Sequence, residues 1–128
     1  MSEMKSGDFC WTELASPNVS KAKDFYGKVF GWQFKDIDSG EMTYTIVKSN
    51  DKEMGGMWQI PTDQQKQIPP HWMSYILVNN IADALAKAKQ HGAQEMKGVT
   101  QAGEMGHFAI ISDPTGAHIA LWEPMGKC

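Results

Sequence analysis

The sequence predicts an α+β fold built from two similar modules, each with one strand, one helix and then three strands (βαβββ). Two amphipathic helical segments lie about sixty residues apart, and an extended apolar run precedes each of them. Three strand candidates follow each helix. A chain of 128 residues suffices for one domain with a buried core. We therefore expect a single domain over 1–128, with modules at 8–60 and 71–124.

The first module begins with an apolar run from Phe9 to Ala15, which predicts a strand. Apolar side chains then recur at helical spacing from Val19 to Phe30. Asn18 is a typical N-cap, and Gly31 is a typical residue at which a helix ends. The three strands expected after this helix are Trp32–Ile37, Met42–Val47 and Met54–Ile60.

The second module repeats this order from Trp72 to Val78, a second apolar run that predicts a strand. Its helix carries an apolar stripe from Ile81 to Ala88, with Asn80 as the N-cap and Gly92 at the end. The turn Asp113–Gly116 separates the last two strands. The strands expected after this helix are Ala93–Thr100, His107–Ser112 and Ala117–Glu123.

The segment from Pro61 to Pro70 is polar, rich in Gln and bracketed by prolines, so we expect it to connect the modules. Twelve basic and fifteen acidic residues give a formal charge of -3 without a block of either sign. This balance gives no electrostatic reason to expect nucleic acid or a membrane surface as a partner. A small molecule or another protein is the expected partner.

The two cysteines, Cys10 and Cys128, form no disulfide framework, which fits a reducing cytoplasm. No apolar run is long enough to cross a bilayer, and the first residues lack the apolar stretch of a secretory signal. The sequence has no glycine-rich phosphate loop, CxxC pair, HExxH motif or Gly-x-Ser-x-Gly elbow. We therefore expect a soluble cytoplasmic protein that is not a nucleotide hydrolase, zinc protease or serine esterase.

Two segments resemble the glyoxalase and bleomycin resistance group of the vicinal oxygen chelate superfamily. Ser16 to Trp32 resembles the first helix of that group, in which a Phe-Tyr pair precedes a Phe/Leu-Gly turn. Asp113–Gly116, followed by Ala117 to Trp122, looks like its last hairpin. The resemblance covers essentially the whole chain. It implies a curved mixed sheet around a cavity that holds a small molecule, and it implies a homodimer.

The metal-dependent members of this family hold one divalent ion with four side chains, usually His, Glu or Gln, from the first and fourth strands of each module. The positions that match them here are Trp11, Met57, Met73 and Ala120. None of these four side chains is a good ligand for a hard or borderline ion. The resemblance therefore implies a member without the metal site, and we expect no cofactor.

Alternation along the strands assigns further side chains to the cavity wall. If Ser112 and Ala117 flank the last hairpin directly, His107 shares this wall with His118. The expected ligand-binding residues are Trp11, Met57, Met73, Tyr75, Ala120 and Trp122. Glu13, His118 and His107 are the candidate catalytic residues, as general bases, acids or ligand anchors. Each of the nine also has an ordinary structural explanation as core filling, a rim ion pair or a satisfied histidine.

These assignments favour a protein that binds a small, aromatic or hydrophobic molecule in its cavity without a metal ion. One alternative is a metal-dependent enzyme related to lactoylglutathione lyase, an isomerase or a dioxygenase, with its metal held by other residues. Another is a metal-free enzyme that transfers protons with Glu13 and a cavity histidine.

Overall fold

The computed structural model describes residues 4–39 and 42–125, with only the backbone of Ser39 and Met42. Cys128 lies outside the described residues. The elements of the first module are β1 Phe9–Ser16, α1 Val19–Phe30, β2 Gln33–Ser39, β3 Met42–Ser49 and β4 Lys52–Gln59. Those of the second are β5 His71–Leu77, α2 Ile81–Gln90, β6 Gln94–Ala102, β7 Gly106–Ser112 and β8 His118–Pro124. The two βαβββ modules are confirmed, and a short 3-10 helix, Thr62–Gln64, lies between them.

The sheet of the first module has the strand order β2-β3-β4-β1, in which β1 runs parallel to β4 and the other pairs are antiparallel. Its core consists of Leu14, Val47 and Met57, which are buried on the side of the sheet that faces α1. Val19 and Ala22 of α1 pack against this core. Burial of these apolar side chains therefore fixes which face of the sheet carries the helix.

Both ends of α1 lie where the sequence places them. The side chain of Asn18 accepts a hydrogen bond from the backbone N–H of Lys21 at 3.0 Å, and Gly31 ends the helix with a φ of 73°. None of the residues of α1 is fully buried, and Phe25 and Phe30 are 55% and 58% exposed. The helix is thus only partly covered by its own sheet.

The second module repeats the arrangement with the strand order β6-β7-β8-β5 and a parallel pair, β5 and β8. Asn80 caps α2 by accepting from the N–H of Asp83 at 3.0 Å, and Glu123 Oε1 accepts from the N–H of Ile81 at 2.7 Å. The core between α2 and the sheet consists of Ile81, Leu85, Ala109, Ile111 and Leu121. Unlike α1, α2 buries two of its residues, Ile81 and Leu85.

The chain divides into two compact units, one of residues 11–73 and the other of the stretch ending at Cys10 together with the part beginning at Ser74. In the ranges that the structure describes, no helix has the length and apolarity needed to span a bilayer.

Candidate functional site

Alternation divides each sheet into a face that contacts its helix and a face turned away from it, called here the distal face. In β1, Leu14 packs in the core with α1, so Trp11 and Glu13 lie on the distal face. Gly56 of β4 pairs with Glu13 of β1 on one side and with Ile46 of β3 on the other. The distal face of the first module therefore carries the carboxylate of Glu13.

A chain of hydrogen bonds crosses this distal face. The indole Nε1 of Trp11 donates to the hydroxyl of Tyr44 at 2.9 Å. The same hydroxyl donates to Oε2 of Glu13 at 2.6 Å. All three side chains are partly buried. Tyr44 thus joins two residues that the sequence had already singled out, Trp11 and Glu13.

Gly56 makes room for this arrangement. A Cβ atom at Gly56 would overlap the ring and hydroxyl of Tyr44, so the tyrosine lies across the strand where a side chain is missing. A Cβ at Gly55 would overlap the carbonyl oxygen of Thr12 in the neighbouring strand. Both glycines are required by a close approach rather than by their backbone angles.

Sequence reasoning missed Tyr44. The pair Gly55-Gly56 inside a strand was the available signal, because glycines within a strand often mark a place where another group lies close. The signal does not say which side chain fills the space, since that depends on the register between β3 and β4, in which Tyr44 pairs with Trp58.

The placement of Met57 on the cavity wall is wrong. In the parallel pair of β1 and β4, Met57 lies beside Leu14, so both side chains point toward α1. Met57 is fully buried there, at 0% exposure. The residues of β4 on the distal face are Gly56 and Trp58, because the predicted register was shifted by one residue and a shift of one residue exchanges the faces.

The distal face of the second module carries Tyr75, Ala120 and Trp122. Tyr75 pairs with Ala120, and Leu77 pairs with Trp122. The rings of Tyr75 and Trp122 are 6.5 Å apart and meet edge to face. Alternation along β5 places the buried Met73 on the same side as Tyr75. A role for these four residues in contacting a ligand stays a prediction.

The placement of His107 beside His118 is also wrong. Ser112 pairs with His118 rather than with Ala117, because the N–H of Asp113 bonds to the carbonyl of Ala117 at 2.7 Å and closes the turn one residue later. His107 therefore pairs with Glu123 and lies on the face that contacts α2. His118 lies on the distal face, where its side chain is exposed at the start of β8.

The side chains at the matched positions do not fit the divalent ion that metal-dependent members of the family hold. Within residues 4–39 and 42–125, no three His, Cys, Asp or Glu side chains are grouped so that they could hold a metal. The corrected positions in β4, Gly56 and Trp58, offer no ligand either. Trp11, Met73 and Ala120 are equally unsuitable.

A pocket of about 280 Å³ lies on the helix side of the first module, not on the face of Glu13. Thr12, which precedes Glu13 in β1, points into it from the opposite face of the strand. Its lining residues are Thr12, Trp32, Val47, Met54, Gly55 and Trp72. Since no ionisable side chain lines this pocket, we take the distal face of each module as a candidate site by itself, with Glu13 on the first and the paired rings of Tyr75 and Trp122 on the second.

The family model for the Glyoxalase/Bleomycin resistance protein/Dioxygenase superfamily matches residues 9–121. The chain belongs to this superfamily. The match spans most of both modules, so the family suggested by the first helix and the last hairpin is confirmed. Membership in the superfamily sets the fold, whereas the activity depends on the residues of the site.

Proteins similar to this chain include CFP32 of Mycobacterium tuberculosis, named as a glyoxylase, with 31% identity over 95% of this chain and 48% of that protein. DauV of Streptomyces sp. strain C5, named as an anthracycline biosynthesis protein, has 30% identity over 95% of this chain and 49% of that protein. The chain thus spans about half the length of these curated relatives. A crystal structure of methylmalonyl-CoA epimerase from Mycobacterium tuberculosis has a TM-score of 0.66 at 11% identity, covering 98% of this chain and 94% of that one. This last likeness shows the fold alone.

Proposed function

We propose that this member of the superfamily binds a small, aromatic or hydrophobic molecule on its distal faces without a metal ion. The observation that carries the proposal is the chemistry of the matched positions. Where metal-dependent members need nitrogen or oxygen donors, Trp11 supplies an indole and Ala120 a methyl group. Apolar and aromatic surfaces with a few polar groups are typical of small-molecule sites.

The aromatic side chains support a flat ligand. On the distal face of the second module, Tyr75 and Trp122 present two rings edge to face. On the distal face of the first module, Trp11 presents an indole whose N–H is bonded to Tyr44. Such rings supply a large rigid contact area for stacking. The names of CFP32 and DauV, a glyoxylase and an anthracycline biosynthesis protein, are both consistent with small-molecule chemistry.

Tryptophan fluorescence with a panel of naphthalene and anthraquinone compounds tests binding. We expect saturable quenching by at least one compound, weakened about tenfold or more in Trp122→Ala because a stacking ring is lost. Met96→Ala is the matched control, since Met96 is 51% exposed on β6, away from the aromatic pair. Quenching that is equal in Trp122→Ala and wild type would place the ligand elsewhere.

Elemental analysis of protein expressed in metal-supplemented medium tests the metal-free state. We expect no stoichiometric nickel, zinc, iron or manganese. One ion per chain would instead support an enzyme of the glyoxalase type, a lyase, isomerase or dioxygenase, consistent with the name of CFP32.

A metal-free proton-transfer enzyme is the second candidate function, favoured by the position of Glu13 next to an aromatic hydroxyl on the distal face. A carboxylate can act as a general base if it reaches a carbon-bound or oxygen-bound proton of the substrate. His118, on the distal face of the second module, is the other candidate acid or base. If this candidate is right, Glu13→Gln loses most of any turnover found in demetallated protein.

We also propose that the chain forms a homodimer and acts in the cytoplasm. The dimer is supported by the resemblance to two-module chains of the superfamily. The cytoplasmic location is supported by a cysteine content that gives no disulfide framework.

A further inference from the structure

We propose that the pocket on the helix side of the first module is a further binding site, for a neutral, flat aromatic molecule of one or two rings. We call it the helix-side pocket. It lies on the opposite face of β1 from Glu13, so the inference does not depend on the proposed site on the distal faces. Its lining residues all belong to the compact unit of residues 11–73. Trp32 and Trp72 would contact the ring of the ligand, and Thr12 would contact its polar substituent.

Trp32 and Trp72 supply two aromatic walls of the pocket, which meet at nearly a right angle. Their ring centroids are 6.2 Å apart, and their planes are inclined by 83°. A flat molecule in the angle between them stacks on one ring and meets the other with its edge, and both arrangements are favourable for aromatic pairs. Trp72 is 39% exposed, so part of its ring remains accessible to a ligand. The geometry of the two indoles therefore suits a flat ring.

Tyr26 holds both indoles in place from outside the described lining. Its ring stacks on Trp32, with centroids 5.2 Å apart and planes inclined by 20°. Its hydroxyl accepts a hydrogen bond from Nε1–H of Trp72 at 3.2 Å. The one polar atom of the Trp72 ring is thus bonded to Tyr26, and the carbon part of the ring is left to line the pocket. Walls that are already positioned lose little freedom when a ligand binds.

The volume of the pocket limits the size of the ligand. The pocket has about 280 Å³. An apolar cavity of about 150 Å³ is enough for benzene, and sites for drug-sized ligands have about 300–1,000 Å³. Gly55 lines the pocket without a side chain, and a Cβ there would overlap the carbonyl oxygen of Thr12, so the pairing of β1 and β4 keeps this position open. One or two fused rings are therefore the expected size.

The lining favours a neutral ligand over a charged one. The six described lining residues include no ionisable side chain, and Val47 and Met54 add apolar surface to the two indoles. A charged group would lose water in this pocket without gaining an ionic partner. The hydroxyl of Thr12 can donate a hydrogen bond to one polar substituent or accept one from it. The expected ligand is thus a neutral ring system with one polar substituent, such as a naphthol.

The first experiment locates the binding site with 2-naphthol as the probe. The chain has five tryptophans, and their indole N–H signals in a ¹⁵N NMR spectrum report on each of them separately. The signals of Trp32 and Trp72 should move saturably, and Trp72→Ala should weaken binding about tenfold or more. Phe25→Ala is the matched control, because Phe25 contacts Tyr26 edge to face at 5.0 Å but is not a lining residue. This variant should bind 2-naphthol as the wild type does.

The second experiment tests the ligand class with 2-naphthol, 2-naphthoate and 2-naphthylmethylamine, followed through the same two indole signals at neutral pH. The neutral naphthol should bind about tenfold or more tightly than either charged probe. Thr12→Val keeps the shape of the side chain but removes the hydroxyl. This variant should weaken the binding of 2-naphthol about two- to tenfold and leave the binding of naphthalene unchanged.

The outcomes separate the helix-side pocket from the distal faces. In Trp122→Ala the movement of the Trp32 and Trp72 signals should persist with unchanged affinity. Movement of the Trp11 or Trp122 signals alone would overturn the helix-side pocket but leave the proposed function standing. Movement of the Trp32 and Trp72 signals alone, with every hit of the fluorescence panel unaffected by Trp122→Ala, would support the pocket and overturn the proposed function.

Three further results would overturn the inference. An equal loss of binding in Phe25→Ala and Trp72→Ala would show that the probe adheres to the exposed surface of α1. Equal binding of the charged and neutral probes would contradict the ligand class. Movement of the Trp32 and Trp72 signals on dilution of the protein alone would show that a second copy of the chain covers the pocket.

Discussion

Gly56 shows how much of the candidate site depends on a missing side chain. A Cβ there would overlap Tyr44, whereas a Cβ at Gly27 in α1 would make an ordinary contact of 3.5 Å with the Phe34 ring. We expect Gly56→Ala to destabilise the protein by about 1–3 kcal/mol, because the Tyr44 ring must move. Gly27→Ala should stabilise it by about 0.5–1 kcal/mol through helix propensity. Urea unfolding of both variants measures the contrast, and a neutral Gly56→Ala would show that Tyr44 relocates without cost.

Asp36 makes a pH-dependent contribution to the stability of the fold, and this contribution can be followed through the pKa of this one residue. The hydroxyl of Thr45 and then the ammonium of Lys23 hold the pKa of Asp36 below the ordinary value of an aspartate. A lowered pKa stabilises the folded protein at pH values above the ordinary pKa of an aspartate. This stabilisation is lost as the pH falls through the lowered pKa of the folded protein. In Thr45→Val the pKa should rise toward the ordinary value, as followed by carboxyl ¹³C NMR. Wild type and variant should converge in this contribution once Asp36 is protonated, and an unshifted pKa would contradict the role of Thr45.

At the residue scale, the sequence could predict those residues whose role depends only on their neighbours along the chain. Asn18 and Asn80 cap their helices by bonds to the N–H three residues later, and this pattern depends only on nearby sequence. Tyr44 and Glu13 are 31 residues apart and meet only because β3, β4 and β1 are neighbours. Nothing local in the sequence indicates which tyrosine reaches the carboxylate.

At the scale of elements, the order of strands and helices followed from hydrophobic periodicity, but two registers did not. In β4 the two glycines removed the alternation that normally identifies the core face, so Met57 was assigned to the wrong side. In the last hairpin, Asp113 accepts bonds from Thr115 and Ala117 and tightens the turn, which moves His107 to the other face. Turn geometry decided the face of His107, and the residue types of the turn did not reveal it.

The two helices should contribute unequally to stability despite their similar sequence patterns. Leu85 of α2 is 8% exposed in a packed cluster, while Phe25 of α1 is 55% exposed. Leu85→Ala should cost about 2–5 kcal/mol by removing buried methyl groups and leaving a cavity. Phe25→Ala should cost clearly less, about 1 kcal/mol or below, because most of its ring is already in water. Equal losses in chemical denaturation would mean that Phe25 is covered in solution.

At the scale of the whole molecule, the repeat carries the prediction of the fold. A helix and four strands of one module recur in the same order in the other, and each sheet has its parallel pair between its first and last strands. The repeated order of strands and helices can be recognised in a sequence without knowing how the strands pair. The family could therefore be predicted, whereas the faces on which the side chains of two strands lie could not. The site needs both kinds of information, because chemistry depends on which face a side chain occupies.

The proposed homodimer makes a prediction about stability as well as mass. For a dimer that unfolds to separate chains, mass action changes the unfolding free energy by about 1.4 kcal/mol for each tenfold dilution. For a dimer of two chains of this size the midpoint of thermal unfolding should then fall by about 3–5 °C for each tenfold dilution. Light scattering should give twice the mass of one chain at micromolar concentration, with a trend toward one chain on dilution. A single-chain mass together with a midpoint independent of concentration would contradict the dimer, and it would require each distal face to bind its ligand within one chain.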